Sequence, residues 1–219
     1  KKGKMPFIEY DSEAVLKRVL KNGKLHLSLD PNVISESEVV IIVIGTPVDQ
    51  HLNPEFELMG SMMESYRGYF RDGHLVVLRS TVYPGTTDMI DRWFSSNDIK
   101  ADVSFCPERI AEGYAMRELR ELPQIVSSTT KRGLKRARDL FSVLTDEIVE
   151  LDPIEAELAK LFTNVWRYIK FATANQFFMI ANDHKADFYK IHRAMTYNYP
   201  RAKDLPRPGF AAGPCLFKD

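Results

Sequence analysis

Short apolar runs alternate with amphipathic stretches of helical period between residues 11 and 151. Runs of β-branched residues predict buried strands, and apolar residues three and four apart predict helices with one face on a core. The predicted strands are residues 26–29, 39–44, 75–78, 103–105, 124–126 and 148–151. The predicted helices are residues 12–20, capped by Asp11 or Ser12, then 57–70 and 86–94. The alternation is typical of an α/β fold with a doubly wound parallel sheet, in which residues 39–44 form a central strand covered on both faces.

The alternation of strand and helix patterns ends at residue 151, and the long helical pattern that begins at residue 152 predicts the start of a second domain. Asp152, Pro153 and Glu155 supply a capping carboxylate, a proline in the first turn and a glutamate at the third position. No helix breaker follows until after residue 181. The predicted helix is therefore about 45 Å long, which is longer than one layer of a globular domain needs. We divide the chain into a sheet domain, residues 1–150, and a helical part, residues 151–219.

The loops that leave the carboxyl ends of the strands are the candidate site, because ligands bind there in doubly wound sheets. The first loop carries Gly45, Thr46 and Pro47, and the second carries Ser80 and Thr81. The third, residues 106–113, holds two carboxylates and a guanidinium. Each loop alone is equally typical of ordinary turns and helix caps. Three such loops, each directly after a predicted strand, favour a ligand-binding site. On the long helix, Lys160 and Asn164 share one face, which is typical of a solvated edge or of a pair that enters a cleft.

The loop of residues 209–219 brings a thiol, an ammonium and a carboxylate together. The charges of Lys218 and Asp219 lie within reach of the Cys215 sulfur, and a cationic neighbour favours the reactive thiolate. Gly209 and Gly213 allow the backbone to approach a bulky ligand. An inert, buried thiol remains the alternative for Cys215. The other cysteine, Cys106, follows a predicted strand and is typical of a small core residue.

Thirty basic and thirty acidic side chains cancel in this chain of 219 residues. The balance argues against nonspecific nucleic-acid binding and against attraction to a membrane surface. The one basic cluster, residues 131–138, has helical spacing and predicts a helix with a solvated basic face. Two cysteines, without an apolar leader or a long apolar run, predict a soluble cytoplasmic protein. The five histidines lack metal-ligand spacing, so no metal is expected.

Five segments, in order, resemble the nucleotide-sugar 6-dehydrogenases, which oxidise UDP-glucose, GDP-mannose or UDP-N-acetylhexosamines to uronic acids. These segments are residues 45–47, 80–85, 106–113, 157–164 and the loop that contains Cys215. The resemblance covers nearly the whole chain and implies an NAD-dependent, four-electron oxidation of the sugar C6 alcohol. Residues 107–109 are similar to the version found in members that act on UDP-N-acetylhexosamines. The expected substrate is therefore UDP-N-acetylmannosamine or UDP-N-acetylglucosamine.

The resemblance also implies roles for individual residues. Cys215 is the implied nucleophile, which forms a thiohemiacetal and then a thioester. Lys160 and Asn164 are expected to stabilise the oxyanion, and Asp219 to hold the water that takes the alcohol proton. Glu112 and Thr81 are expected to direct the hydrolytic water. The implied cofactor contacts are Gly45, Thr46, Pro47, Ser80, Thr81, Glu112 and Lys218. The implied substrate contacts are Glu108, Arg109, Ile110, Lys160, Asn164, Gly209, Phe210 and Gly213.

The chain departs from the family pattern in two ways. No two of its eleven glycines are separated by a single residue, so the fingerprint Gly-x-Gly-x-x-Gly is absent. Residues 1–150 are therefore expected to be an NAD-binding, Rossmann-like domain without its first βαβ unit. Residues 151–219 are expected to form the connecting helix and a small helical dimerisation domain, with a further nucleotide-binding domain beyond residue 219. We expect this chain alone to bind NAD weakly and to turn over little.

Two other functions fit parts of the same pattern. A 3-hydroxyacid dehydrogenase would use a lysine and an asparagine four residues apart on a helix, without a thiol. A noncatalytic fragment would keep only the dimerisation surface of residues 156–182, which are apolar over much of the helix circumference. A homodimer through the helical domain is expected for the enzyme and for the fragment.

Overall fold

A computed structural model describes residues 3–44 and 56–209. The chain divides into two compact units, Lys1–Leu158 and Ala159–Asp219. The strands are β1 (Val39–Ile42), β2 (Leu75–Leu78), β3 (Asp102–Phe105), β4 (Gln124–Ser128) and β5 (Ile148–Glu150). The helices of the first unit are α1 (Ser12–Lys21), α2 (Asn32–Glu36), α3 (Phe56–Ser65), α4 (Thr86–Ser96), α5 (Ala115–Glu121) and α6 (Lys131–Phe141), with a 3-10 turn at Arg67–Tyr69. Two further helices follow, α7 (Pro153–Asp183) and α8 (Phe188–Thr196).

The first unit is built on one five-stranded sheet in the order β1-β2-β3-β4-β5. Every residue of β2 and β3 is buried, as expected for central strands that are covered on both faces. One core cluster joins the sheet to α6 through buried residues of β2, β4 and α6 and through Cys106. A second group of rings packs Phe70 against Trp93 and Phe94 of α4: the ring centroids of Phe70 and Trp93 each lie 5.1 Å from that of Phe94 and 6.2 Å from each other. The α/β fold with a mainly parallel sheet, followed by a long helix, is confirmed.

One strand runs against the predicted direction. β1, β2 and β3 are parallel to one another, and β4 is parallel to β5, but β4 pairs antiparallel with β3. The connection from β3 to β4 begins with an irregular loop and contains only the seven-residue helix α5. The chain therefore enters β4 at the same end of the sheet at which it left β3, instead of crossing to the opposite end as a parallel connection requires. The last two residues of β4, Ser127 and Ser128, therefore pair with Phe105 and Ser104 at the carboxyl end of β3.

Several local predictions for the amino-terminal third were wrong. Residues 26–29 form no strand in the described part of the chain, and Leu27 and Leu29 are exposed. β1 is shorter than predicted and lies at the edge of the described sheet, where it pairs with β2 only and leaves 46% of Ile41 exposed. Asp11 has a φ of 64° and makes no side-chain cap, so α1 begins without the predicted capping bond. α2 and α5 were not predicted.

A buried carboxylate stands at the start of β3. Asp102 is 1% exposed and accepts hydrogen bonds from Thr130 Oγ1 at 2.7 Å, Arg132 Nε at 2.8 Å and Arg136 Nη1 at 3.0 Å. The predicted solvated basic face therefore holds for Arg132, whose side chain is 63% exposed while it pairs with Asp102, and is wrong for Arg136, whose side chain is 30% exposed. The helix can come this close because Gly133 has no side chain. A Cβ there would meet Ser128 Oγ and lie 2.9 Å from Asp102 Cβ.

The second unit contains most of the long helix. α7 has 31 residues, and at its start Glu155 Oε2 accepts the backbone N–H of Asp152 at 3.0 Å, which is the glutamate half of a capping box and confirms the predicted helix start. Phe188 of α8 packs against the ring of Phe178 of α7, with a centroid distance of 5.8 Å. Several large apolar side chains of α7 remain exposed: Phe162, Val165, Trp166, Ile169, Phe177, Phe178, Met179 and Ile180. Within the described ranges, no helix has both the length and the apolar character to cross a bilayer.

Candidate functional site

A buried arginine joins two of the three predicted site loops. Arg79 follows β2 directly and is only 7% exposed. Its Nη1 donates to the Cys106 carbonyl at 2.9 Å, and both terminal nitrogens donate to Gln124 Oε1 at 3.1 Å. Nη2 also donates to Glu108 Oε2. The guanidinium therefore ties the end of β2 to the loop after β3 and to the first residue of β4.

The carboxylate of Glu108 shapes its own loop. Its Oε1 accepts the backbone N–H of Arg109 at 2.7 Å and that of Ile110 at 3.1 Å, while Oε2 accepts from Arg79. The backbone N–H of Glu108 in turn donates to the Arg79 carbonyl at 3.0 Å. Glu108 and Ile110, both implied substrate contacts, thus belong to one compact turn whose carboxylate side chain is 28% exposed.

The antiparallel direction of β4 provides the support under this loop. The Arg109 guanidinium donates to the Pro123 carbonyl, one residue before β4, and burial lowers the pKa of Arg109. Farther along, the Ala111 N–H donates to Glu118 Oε2 of α5 at 2.6 Å, and the Gly113 N–H donates to Glu9 Oε2 at 3.0 Å. Glu112 lies between these two fixed points and is exposed. Residues 106–113 are therefore held along most of their length, with Glu112 facing solvent.

The loop of residues 80–85 has two half-buried hydroxyl groups at its beginning. Neither Ser80 nor Thr81 forms a side-chain hydrogen bond to any residue that the structure describes. At the other end of the loop, Gly85 has a φ of 89° and starts α4 without a side-chain cap of its own. The hydroxyl groups are thus available to a ligand at the carboxyl end of β2.

A carboxylate from α7 caps α4 instead. Glu157 is 1% exposed, and its oxygens accept the N–H of Gly85 at 2.6 Å, the N–H of Thr87 at 2.8 Å and the hydroxyl of Thr87 at 2.6 Å. A negative charge is favoured at this end of a helix, where four backbone N–H groups lack helical partners. The carboxylate therefore fixes the far end of the loop that begins with Ser80 and Thr81.

We expect Glu157→Gln to lower the free energy of unfolding by about 2–3 kcal/mol, the range for buried hydrogen bonds to a charged group. The amide has one acceptor oxygen, and its NH2 group would face a backbone N–H at Gly85 or Thr87. The measurement is urea unfolding followed by circular dichroism. Glu155→Gln is the matched control, because glutamine also serves at the third position of a capping box. Equal unfolding midpoints for the two variants would contradict this role of Glu157.

Two of the implied catalytic residues lie on α7. Asn164 is 5% exposed and Lys160 is half-buried, and the two are four residues apart on a continuous helix, as predicted. Farther along the same unit, Asn175 holds the backbone of Gly209 from both sides. Its Oδ1 accepts the Gly209 N–H at 2.8 Å, and its Nδ2 donates to the Gly209 carbonyl at 3.0 Å. The first residue of the predicted cysteine loop is therefore anchored to α7.

Several implied site residues lie outside the described residues. These are Gly45, Thr46, Pro47, Phe210, Gly213, Cys215, Lys218 and Asp219. The other cysteine, Cys106, is fully buried, and burial raises the pKa of its thiol to about 12. A thiol with this pKa is un-ionised at neutral pH and inert, so the prediction of a core role for Cys106 is confirmed. In the described ranges, no three side chains of His, Cys, Asp or Glu gather as a metal-ligand set.

Four residues of this arrangement were missed from the sequence: Arg79, Gln124, Glu157 and Asn175. Arg79 offered the clearest signal, because a charged residue directly extends a fully apolar strand run. Glu157 lies in one of the segments that carry the family resemblance, but nothing in the sequence indicates its partners, which are 70 and more residues away. Gln124 was assigned to a strand, and Asn175 lies in the middle of a helix pattern.

Two sequence models of a single family match almost the entire chain. Residues 1–145 match the NAD-binding domain of the UDP-glucose/GDP-mannose dehydrogenase family, and residues 154–219 match its central domain. The chain belongs to this family.

The chain is similar in sequence and in structure to nucleotide-sugar dehydrogenases. A UDP-N-acetyl-D-mannosamine dehydrogenase of Methanocaldococcus jannaschii is 29% identical over 216 residues, which cover 96% of this chain and 49% of the relative. A protein of the same name from Escherichia coli is 26% identical over 232 residues, covering 100% of this chain and 54% of the relative. The solved structure of UDP-D-ManNAc dehydrogenase from Pyrococcus horikoshii aligns with a TM-score of 0.89 and 26% identity, covering 98% of this chain and 52% of that one. The chain therefore spans about half the length of the relatives it matches.

Proposed function

We propose that this chain is part of an NAD-dependent nucleotide-sugar 6-dehydrogenase that oxidises the C6 alcohol of UDP-N-acetylmannosamine to a carboxylate. The observation that carries the proposal is the match of both family domains to one chain, residues 1–145 and 154–219. The names of the relatives support the mannosamine over the glucosamine sugar. The rigid loop of residues 106–113 supports recognition of a sugar, because its backbone is fixed before any ligand binds.

We assign the cofactor to the carboxyl ends of the strands. The available hydroxyl groups of Ser80 and Thr81 fit a ligand with many hydrogen-bonding groups, and Gly45, Thr46, Pro47, Glu112 and Lys218 complete the proposed contacts. NAD, when bound there, accepts a hydride, and two such transfers account for the four electrons between an alcohol and a carboxylate. The protein's own residues supply the proton transfers, the nucleophile and the stabilisation of charge.

The proposed chemistry centres on Cys215. A water held by Asp219 takes the proton of the C6 hydroxyl, and the ammonium of Lys160 stabilises the alkoxide. The Cys215 thiolate then adds to the aldehyde carbon, and the carbonyl oxygen becomes the oxyanion of a thiohemiacetal. Lys160 and Asn164 donate hydrogen bonds to that oxyanion, and loss of one such donor typically lowers the rate by about 10²–10³-fold. Because the aldehyde stays covalently bound, it is not released between the two oxidation steps.

The final step is hydrolysis of the thioester on Cys215. Water adds to the thioester carbon, the bond from carbon to sulfur breaks, and the products are the carboxylate and the free thiol. We assign the base that deprotonates this water to Glu112, with Thr81 positioning the water. The exposed position of Glu112 supports access to water, whereas three donors already occupy the carboxylate of Glu108.

We expect Glu112→Gln to accumulate the thioester, because the amide cannot accept the proton of the attacking water. The variant is mixed with NAD and UDP-N-acetylmannosamine, quenched in acid, and its intact mass is measured. Glu108→Gln is the matched comparison in the same loop and is expected to show no accumulation. A thioester in Glu108→Gln and none in Glu112→Gln would contradict the assignment of the base.

The reaction itself is tested by its stoichiometry in the protein that contains this chain. We expect two NADH for each uronate formed, with UDP-N-acetylmannosamine preferred over UDP-N-acetylglucosamine. One NADH per product, with a 3-hydroxyacid as the better substrate, would favour the 3-hydroxyacid dehydrogenase instead. Iodoacetamide separates the same two functions, because alkylation of Cys215 inactivates only an enzyme that needs the thiol. Cys106 does not interfere, since it is buried and its pKa is raised to about 12.

The domain assignment and the dimer are also proposals. In the described part of the sheet β1 pairs with β2 only, and this edge and the exposed side chain of Ile41 support a further βαβ unit in this sheet domain, residues 1–150. The exposed apolar side chains of α7 support a homodimer through residues 151–219, which analytical ultracentrifugation tests. We expect the chain of 219 residues alone to bind NAD weakly, and micromolar binding in a calorimeter would contradict this. The cytoplasmic location and the absence of nucleic-acid and membrane partners remain predictions from the sequence.

A further inference from the structure

We propose that Arg79 is a positioning residue, which holds the Glu108 carboxylate in one orientation and thereby sets the shape of the loop at residues 106–113. The contacts that support this inference lie within the first unit and do not depend on the reaction. Its consequence for catalysis rests on the proposed function, which assigns this loop to the sugar. No role for Arg79 follows from the five segments that carry the family resemblance.

The geometry requires a guanidinium. Two terminal nitrogens of Arg79 reach three acceptors in different directions: the Cys106 carbonyl, Gln124 Oε1 and Glu108 Oε2. The central carbon of the same group lies over the Phe141 ring, 4.6 Å from the centroid. A lysine ammonium is a compact charge with a different reach, and it does not reproduce this planar fork or the stacking.

The ion pair between Arg79 and Glu108 couples the arginine to the loop of residues 106–113. The Arg79 side chain is 9% exposed, so its positive charge needs a nearby negative partner, and Glu108 is the only carboxylate that the described structure pairs with it. If Glu108 turned away, the buried guanidinium would lose that partner, and the N–H groups of Arg109 and Ile110 would lose their acceptor. The carboxylate therefore keeps one orientation, and the loop backbone keeps the same shape.

This orientation leaves part of the carboxylate open. Each carboxylate oxygen has two acceptor positions, and Oε2 uses one of them for Arg79. The side chain is 28% exposed, so the remaining position on Oε2 can accept a hydrogen bond from a ligand hydroxyl. Arg79 thus presents a fixed acceptor to the sugar without contacting the sugar itself.

The test compares Arg79→Lys with Arg138→Lys in the protein that contains this chain. Arg138 is the matched control, since it lies on α6 in an exposed ion pair with Glu150 at 3.0 Å. We expect Arg79→Lys to raise KM for the nucleotide sugar and to lower kcat/KM by about 10- to 100-fold, with KM for NAD within about twofold of the parent value. A merely structural role would change both KM values together. Equal kinetics for the two variants, or parallel changes in both KM values of Arg79→Lys, would overturn the inference.

Hydrogen exchange supplies a readout that needs no activity. In the 219-residue chain, Arg79→Lys is expected to speed exchange of the Arg109 and Ile110 N–H groups by about tenfold or more, while exchange in β2 stays unchanged. Faster exchange in the 219-residue chain supports the inference, and the proposed function alone is contradicted if the protein that contains this chain makes no uronate. Unchanged exchange at both N–H groups overturns the inference whatever the activity is.

Discussion

Cys215→Ser is expected to abolish uronate formation, with a loss of about 10⁴-fold or more, while the nucleotide sugar still binds nearly as well. A thiol with an ordinary pKa near 8.5 is a few per cent ionised at neutral pH, and Lys160 and Lys218 are proposed to raise that fraction. A serine hydroxyl is not ionised at this pH and is a poor nucleophile without a dedicated base. The aldehyde is then not captured, and the second oxidation does not occur. The measurements are uronate formation by chromatography and sugar binding by calorimetry.

Cys106→Ala is the matched control for that experiment. Cys106 is the other cysteine of the chain, it is fully buried, and burial raises the pKa of its thiol to about 12. Its replacement is expected to reduce stability through a small cavity and to leave the turnover of the folded protein unchanged. Normal uronate formation by Cys215→Ser, or its loss in Cys106→Ala, would contradict the assignment of the nucleophile.

Asp102→Ala is expected to lower the free energy of unfolding by about 2–3 kcal/mol, the upper part of the range for hydrogen bonds to a charged group, because the two arginines left behind are partly solvated. The substitution leaves Arg136, whose side chain is 30% exposed, and the Thr130 hydroxyl without their acceptor beside β3. It also removes side-chain atoms that lie close to Gly133 of α6 and leaves a cavity there. Urea unfolding measures the loss. Asp139→Ala, an exposed aspartate on the same helix, is the control and is expected to change stability by less than about 0.5 kcal/mol.

The contribution of Asp102 is also expected to depend on pH. Burial alone raises its pKa, but hydrogen bonds from Arg132, Thr130 and Arg136 outweigh burial and hold the pKa below the ordinary value of 3.8. The unfolded chain therefore takes up the proton first as the pH falls, and the stabilisation is complete above that value and lost below it. The stability difference between the parent chain and Asp102→Asn should narrow as the pH is lowered from 5 toward 2. A constant difference over this range would contradict the role of the charge.

The sequence predicts the elements whose signals are local. The apolar run of residues 75–78 is confirmed as a strand, and the pattern Asp152, Pro153 and Glu155 is confirmed as the start of a long helix. The direction of a strand cannot be predicted in this way, because it depends on the end of the sheet at which the preceding connection enters the strand. Nothing in the apolar run of β4 shows that it pairs antiparallel with β3. Residues 26–29 have a strand-like composition but no strand beside them in the described structure.

The candidate site was predictable to the level of its loops. Polar residues at strand ends indicate residues 80–85 and 106–113, and the family resemblance adds their implied roles. The supports of these loops were not predictable, because they are single long-range contacts. Arg79 reaches Glu108 across 29 positions, and Glu157 reaches Gly85 across 72 positions. Such pairs leave no periodic trace in one sequence, although they decide which groups of a loop remain open to a ligand.

The central claim is that the sugar becomes covalently bound to Cys215 during turnover. The direct measurement is rapid acid quenching of the protein during steady-state oxidation of UDP-N-acetylmannosamine, followed by digestion and mass spectrometry of the peptide that contains Cys215. We predict a mass increase equal to the nucleotide uronyl group on that peptide, and none on the peptide that contains Cys106. Uronate formation with an unmodified Cys215 peptide at every time point would contradict the claim.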